Sequence, residues 1–288
     1  MRHIPPQAST EDFRDTPYGR QLHGGFRLLR FAPELEREFR RYLDRHARLS
    51  QRLAALLLIF AVGGYLYCEH RVFDLADTGW LTTLTLLRLL QILPGVVVLV
   101  LTFYSRRFRA QANRIFPVLL VMVGMLAALI DIRFETLDAE LNFRYGAGLL
   151  IVASFFFLGV TFWWALLCAV LIVLADVCMA SLILSAEQMP EHWIAVSYYL
   201  LLLIIGAISR YVHEYSQRDQ FLTRQLLGWV AEHDALSGLA NRRSHDRALP
   251  QRIAQARRDR RPLSLLLLDL DDFKAYNDTF GHPAALGR

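Results

Sequence analysis

Lysine is nearly missing from this sequence. Of its 32 basic residues only Lys274 is a lysine, and the other 31 are arginines. Cysteine is also scarce. Cys68, Cys168 and Cys178 lie inside or at the edge of apolar runs. Their spacing excludes a zinc site or a disulfide framework and leaves small buried side chains in apolar helices. Residues 1–30 contain no apolar run, which excludes a cleavable signal peptide there. The first apolar helix is therefore expected to act as an uncleaved insertion signal. Charge is sparse between Leu53 and Ser209, which excludes a simple soluble protein. No aromatic-plus-basic pattern stands outside that region, so nucleic-acid binding is set aside.

What is present is apolar and clustered. Apolar residues make up 54% of 288. A run of about 20 spans a bilayer as a helix. Six spans are expected: about Leu53 to Cys68, Leu81 to Tyr104 with a kink at Pro94-Gly95, and Phe116 to Ile130. Two more share the run from Gly146 to Leu184, folding back near Gly159-Val160-Thr161. The last is about Trp193 to Ile208. The net charge of +5 follows from arginines flanking these runs. Eleven lie in residues 1–52, and Arg106, Arg107, Arg109 and Arg114 fill the second loop. The loop between Ser185 and His192 has none. That alternation places both termini in the cytoplasm of a multi-pass protein of a bacterial-type inner membrane.

The chain divides into four parts. Residues 1–52 form a cytoplasmic segment, loosely structured to residue 32, then an amphipathic helix from Pro33 with Glu34, Glu36 and Glu38 near its positive end. That helix lies on the lipid surface or packs on a partner helix. Residues 53–209 are the transmembrane region. Residues 210–233 continue as a helix. Tyr215, Leu222 and Trp229 recur at one heptad position, while the companion position carries Asp219. It reads as a signalling coil or as an ordinary connecting helix. Residues 234–288 hold the polar chemistry.

Two charges fall inside spans, Arg88 and Asp176. Counted from the span ends, both lie about 10 to 12 Å from the same outer face. They are expected to pair across helices; the alternative is a snorkelling Arg88 and a protonated or hydrogen-bonded Asp176.

In the last part, a helix is expected from about Arg242 to Arg258, interrupted by Pro250. Leu263 to Leu270 then reads as a strand buried on both faces. At its end Asp269, Asp271 and Asp272 crowd three carboxylates, with Asp269 and Asp271 on one face. Such carboxylates suit Mg²⁺ carrying a triphosphate, Lys274 adds a point charge, and Asn277 offers an amide to a base edge.

These residues carry a resemblance. Asp234-x-Leu236-Ser-x-Leu239-x-Asn241-Arg242-Arg243 resembles the opening signature of the GGDEF family of diguanylate cyclases. Asp269-Leu-Asp271-x-Phe273-Lys274-x-x-Asn277-Asp278-x-x-Gly281-His282 is similar to its first active-site segment. The resemblance implies an α/β, nucleotide-cyclase-like fold and condensation of two GTP into cyclic di-GMP. It also implies Mg²⁺ held by Asp269 and the Leu270 carbonyl, phosphate stabilised by Lys274, guanine read by Asn277, and His282 in the pocket wall. Where the family continues to Gly-Asp, this sequence has Ala285-Leu286, and it holds no Gly-Gly-Asp/Glu-Glu-Phe loop. The expectation is a membrane sensor of this family with a truncated domain that does not turn over GTP. Its expected partners are lipids, a second copy through the spans and linker helix, and GTP only in a complete domain. The alternatives are a non-enzymatic membrane receptor or dimerisation module, and a frameshifted remnant.

Overall fold

In a computed structural model of the chain, the described residues are 16–71, 80–104, 106–136, 146–156, 160–234, 239–269, 271–272, 275 and 278–279. Among them the regular structure is helical: α1 (Pro17–Gly24), a 3₁₀ turn (Arg27–Leu29), α2 (Pro33–Arg71), α3 (Leu81–Tyr104), α4 (Arg106–Thr136), α5 (Gly146–Phe156), α6 (Phe162–Ile183), α7 (Met189–Glu232) and α8 (Arg242–Asp259). The chain divides into two units, Leu28–Arg218 and the remainder.

The first unit is a bundle in which successive helices run up and down. Five of its helices carry stretches long and apolar enough to cross a membrane: Leu49–Arg71, Leu81–Tyr104, Ile115–Thr136, Phe162–Ile183 and the helix Met189–Glu232. Of the expected fourth span, α5 is the part among the described residues. α5 has 11 residues, about 16 Å, against about 30 Å of hydrocarbon. The helix break expected in the long apolar run is there: Val160 and Thr161 are non-helical, and Thr161 is the N-cap of α6.

Burial is arranged as lipid demands. Large apolar side chains such as Phe60 and Leu182 point outward, 82% and 79% exposed. The interior between α4, α5 and α6 is built of small and branched residues, including Ala127, Ala147, Ile151, Ala165, Ala169 and Ile172. Without a hydrophobic drive between helices in lipid, close backbone approach supplies the packing. Gly206 on α7 is the extreme case, because a Cβ there would collide with Phe155 Cδ2 of α5. α3 continues through Pro94 as one helix, and Gly95 brings it against Ala55, Leu58 and Ile59 of α2.

At two places a helix runs on without a break. The amphipathic segment from Pro33 and the first span form one helix of 39 residues. The last span and the connecting segment form one of 44 residues. The N-terminal segment is more ordered than expected. Thr16 caps α1 by accepting from the Gly19 amide at 2.9 Å, and Pro17 preorganises the first turn. Leu28 and Leu29 adopt left-handed backbone angles, turning the chain before α2.

In the other unit the expected pause at Pro250 is not an interruption; α8 runs through it to Asp259. The lost N–H leaves the Asp246 carbonyl without its intrahelical donor, a cost that water can offset on a helix with no buried residue. The expected strand at Leu263 to Leu270 is not paired over its described residues. Leu265 to Leu268 are 69–92% exposed, and the bridge between His233 and Ala240 is the single β-pairing among the described residues. A strand is defined by its neighbours, and an apolar run without them has no ladder to join.

Candidate functional site

Polar chemistry gathers in three places. The first is a buried cluster where α2, α4 and α6 end and α3, α5 and α7 begin. Arg88 of α3 is 1% exposed and donates from Nε and Nη2 to Glu69 Oε1 of α2, at 2.9 and 2.7 Å. Its Nη1 donates to Gln91 Oε1 at 3.2 Å, and the guanidinium lies 4.7 Å from the Tyr65 ring centroid. Asp176 of α6 has a different partner. Its Oδ2 lies 3.2 Å from His192 Nε2 of α7, at ion-pair distance but without hydrogen-bond alignment. The other imidazole nitrogen, Nδ1, is 3.1 Å from Glu135 Oε2 of α4. The Arg88–Asp176 pair is thus replaced by Arg88–Glu69 and Asp176–His192–Glu135. Asp131 stands in the field of both Arg88 and Asp176. It accepts from the Ala147 amide at 2.9 Å and so caps the start of α5. Gly146 permits that approach, since a Cβ there would meet Asp131 Oδ1 at 3.0 Å.

Burying this much charge is expensive in a low-dielectric interior, and it persists only where partners converge. Glu69 and His192 each lie one residue outside an expected span, at Leu53–Cys68 and Trp193–Ile208. Extending the helices by a turn would have brought both into the count.

The second place is at the opposite end of the bundle. Arg218 of α7, 1% exposed, donates from Nη1 to Glu36 Oε2 of α2 at 2.7 Å and from Nη2 to Glu214 Oε1 at 2.9 Å. Its guanidinium lies over Phe39 and Phe31, 4.4 and 4.8 Å from their centroids. Glu214 Oε2 accepts from the Phe162 amide at the start of α6 at 2.5 Å, and Arg210 donates to the Val160 carbonyl. One stretch of α7 therefore holds both the start of α2 and the start of α6. Burial acts to raise the Glu36 carboxyl. The Arg218 hydrogen bond, the Phe31 amide, the Arg218 charge and Arg40 outweigh it and hold the carboxyl below the ordinary glutamate range.

The third place is the cyclase-like segment. Asn241 organises its opening. Its Oδ1 accepts from the Ser244 amide at 3.0 Å and caps α8; its Nδ2 donates to the Ala231 carbonyl at 3.0 Å. Its own amide donates to the Glu232 carbonyl at 2.9 Å. Ser244 Oγ bonds the same carbonyl at 2.7 Å, and Arg247 reaches the Glu232 carboxylate at 2.7 Å. Asp234 donates its amide to the Leu239 carbonyl at 2.7 Å, closing the turn. The Asp234…Asn241 signature is therefore a splice that fixes α8 to the end of α7.

Of the acids, Asp269, Asp271 and Asp272 are exposed, and Asp272 sits in the left-handed region at φ 53°. Leu270, Lys274, Asn277 and His282 lie outside the described residues. Carboxylate oxygens at this position suit a hard cation, yet among the described residues no three metal-ligating side chains converge. The donor set fits Mg²⁺ only in part.

Among the described residues the chain holds five helices long and apolar enough to cross a membrane, and it carries a C-terminal segment with a nucleotide-cyclase signature. Comparison makes the family specific. Residues 231–285 match "Diguanylate cyclase, GGDEF domain". The chain is 38% identical over 108 residues to the bifunctional diguanylate cyclase/cyclic di-GMP phosphodiesterase MucR of Pseudomonas aeruginosa, covering 34% of this chain and 16% of the relative. It is 43% identical over 58 residues to the diguanylate cyclase DgcS of Shewanella oneidensis, 20% of each chain. It is also 43% identical over 65 residues to the diguanylate cyclase DosC of Escherichia coli, 21% of this chain and 14% of that one. Over residues 231–285 the chain is similar to the GGDEF domain of diguanylate cyclases. It spans a fifth or less of the length of these relatives.

Proposed function

We propose that this chain is a multi-pass inner-membrane sensor whose output segment belongs to the diguanylate cyclase family. The observation that carries this reading is α7. It is one helix of 44 residues that begins at the His192 cluster and ends at the Asn241 splice. At about 1.5 Å per residue it covers roughly 66 Å, twice a bilayer's hydrocarbon thickness. A change of charge or packing around His192 thereby acts on the same helix that runs to the cyclase-type segment. Six crossings, with α5 as part of the fourth, and both termini in the cytoplasm follow from the arginine alternation. Pairing of two copies through a short coil on α7 is proposed from the heptad pattern alone, since Leu222 and Leu226 are buried within the chain.

The family reaction is 2 GTP to cyclic di-GMP and 2 diphosphate. Asp269 and the Leu270 carbonyl are the proposed Mg²⁺ ligands, Lys274 the phosphate contact, and Asn277 and His282 the guanine-side contacts. The ion, when bound, would neutralise triphosphate charge; the protein side positions the two nucleotides. The second reading is a non-enzymatic partner of complete relatives. Cyclic di-GMP formed by the purified chain from GTP and Mg²⁺ supports the enzymatic reading and counts against the second. Co-purification with a complete family member supports the partner reading, and its absence from a pull-down removes that reading.

A further inference from the structure

His192 stands between two carboxylates on two other helices. Its Nδ1 is 3.1 Å from Glu135 Oε2 of α4, and its Nε2 is 3.2 Å from Asp176 Oδ2 of α6. All three side chains are 4% exposed or less. A neutral imidazole has one N–H and one bare acceptor nitrogen. Whichever nitrogen holds the single proton, the other turns a lone pair toward a carboxylate oxygen at 3.1 or 3.2 Å. Neither His192 Nε2 nor Asp176 Oδ2 has a hydrogen-bond partner elsewhere that would draw it away from that contact. Two buried acceptors set face to face lose both of their hydrogen bonds. A second proton removes the conflict.

Alignment says where that proton sits. An O–H···N bond from a protonated Asp176 is directional, and Asp176 Oδ2 and His192 Nε2 lie at ion-pair distance without hydrogen-bond alignment. Attraction between charges has no such angular demand. An imidazolium between two carboxylates therefore fits both contacts. The surrounding charge agrees. Among the described residues this end of the bundle buries Glu69 of α2, Asp131 and Glu135 of α4 and Asp176 of α6, against Arg88 of α3 and His192. Arg133 of α4 is half-buried and lies over the Trp80 ring, 5.6 Å from its centroid. α5 has no titratable side chain, and Glu187 and Glu191 beside the start of α7 are exposed. With a neutral imidazole, four buried carboxyl groups would share this interior with the single buried cation Arg88.

We propose that the Asp176–His192–Glu135 bridge is a proton-binding site, occupied as an imidazolium at neutral pH, and that the bound proton latches the start of α7 to α4 and α6. When base carries the proton away to water, one of the two contacts becomes acceptor against acceptor. The fourth residue of α7 is then pushed off α4 or α6. Proton binding belongs to the bundle alone and is independent of the cyclase-family reading. Only its use as the stimulus of the sensor rests on the function proposed above.

The test uses the full chain in lipid nanodiscs, labelled with ¹⁵N-histidine and read without any enzymatic output. The signals of position 192 are those lost in His192→Gln. At neutral pH both ring nitrogens should be protonated, and Asp176→Asn should replace their signals by those of a neutral imidazole with helix content retained. Amide hydrogen exchange over residues 189–199, corrected for its intrinsic pH dependence, should rise at least fivefold over the pH range in which the imidazolium signals disappear, with no such step in His192→Gln. A neutral imidazole in the unmodified chain at neutral pH, or unchanged imidazolium signals in well-folded Asp176→Asn, overturns the proton site. Imidazolium signals that persist to about pH 10, exchange that ignores their loss, or an equal step in His192→Gln overturns the latch.

Discussion

Arg88 is almost fully enclosed, and its charge is tolerable because Glu69 offers one oxygen to two of its donors. Removing one partner leaves the other charge buried and unmet. Arg88→Met and Glu69→Met should each lower stability by about 3 to 5 kcal/mol, read as thermal midpoints in detergent, while the double variant recovers much of the loss. Glu36 allows a test by pH. Its carboxyl is held below the ordinary range, chiefly by Arg218 against the opposing effect of burial. A lowered value means stability that is fully present above the unfolded value and is lost as pH falls through the native one. Acidification below the ordinary glutamate range should therefore destabilise the unmodified chain more than Glu36→Gln; parallel pH profiles would remove the clamp from the account. Arg88 and Asp176 were expected to pair with each other across helices, and in the structure each has another partner. Their partners, Glu69 and His192, each sat one residue beyond an assumed span end. Apolar periodicity marks where lipid contact stops, whereas helices here continue past it with buried polar residues.

At the scale of elements, the two long helices matter most. α2 and α7 each join an apolar stretch to a polar one without a break, because no residue in the junction stops a helix: Arg48 to Leu53 and Ser209 to His213 contain neither Gly nor Pro. Arg218 and Glu214 then tie α7 to α2 and to the start of α6. α5 and α7 meet through Gly206, where the Phe155 ring occupies the place of a side chain. Gly206→Val should force the two helices apart at a cost of about 1 to 3 kcal/mol, and a thermal midpoint unchanged from the parent would contradict that packing. The break between α5 and α6 was legible because one apolar run could not cross a bilayer only once. The run Leu263 to Leu270 reads as a strand that needs flanking strands and covering helices, and without them Leu265 to Leu268 are exposed in the structure.

For the whole molecule, the Asp234…Asn241 signature was legible because its residues are local and hydrogen-bond within one turn. The site roles of Lys274, Asn277 and His282 were named through the resemblance to the GGDEF family, and these residues lie outside the described ones. The central claim is that the membrane bundle acts on a cyclase-type output through α7. The most direct measurement joins residues 1–233 to a complete GGDEF domain and follows cyclic di-GMP formation in membranes, with and without His192→Gln. The account predicts an active chimera whose rate changes at least threefold in the variant at equal abundance. An active chimera whose rate is the same with glutamine at position 192 would contradict it.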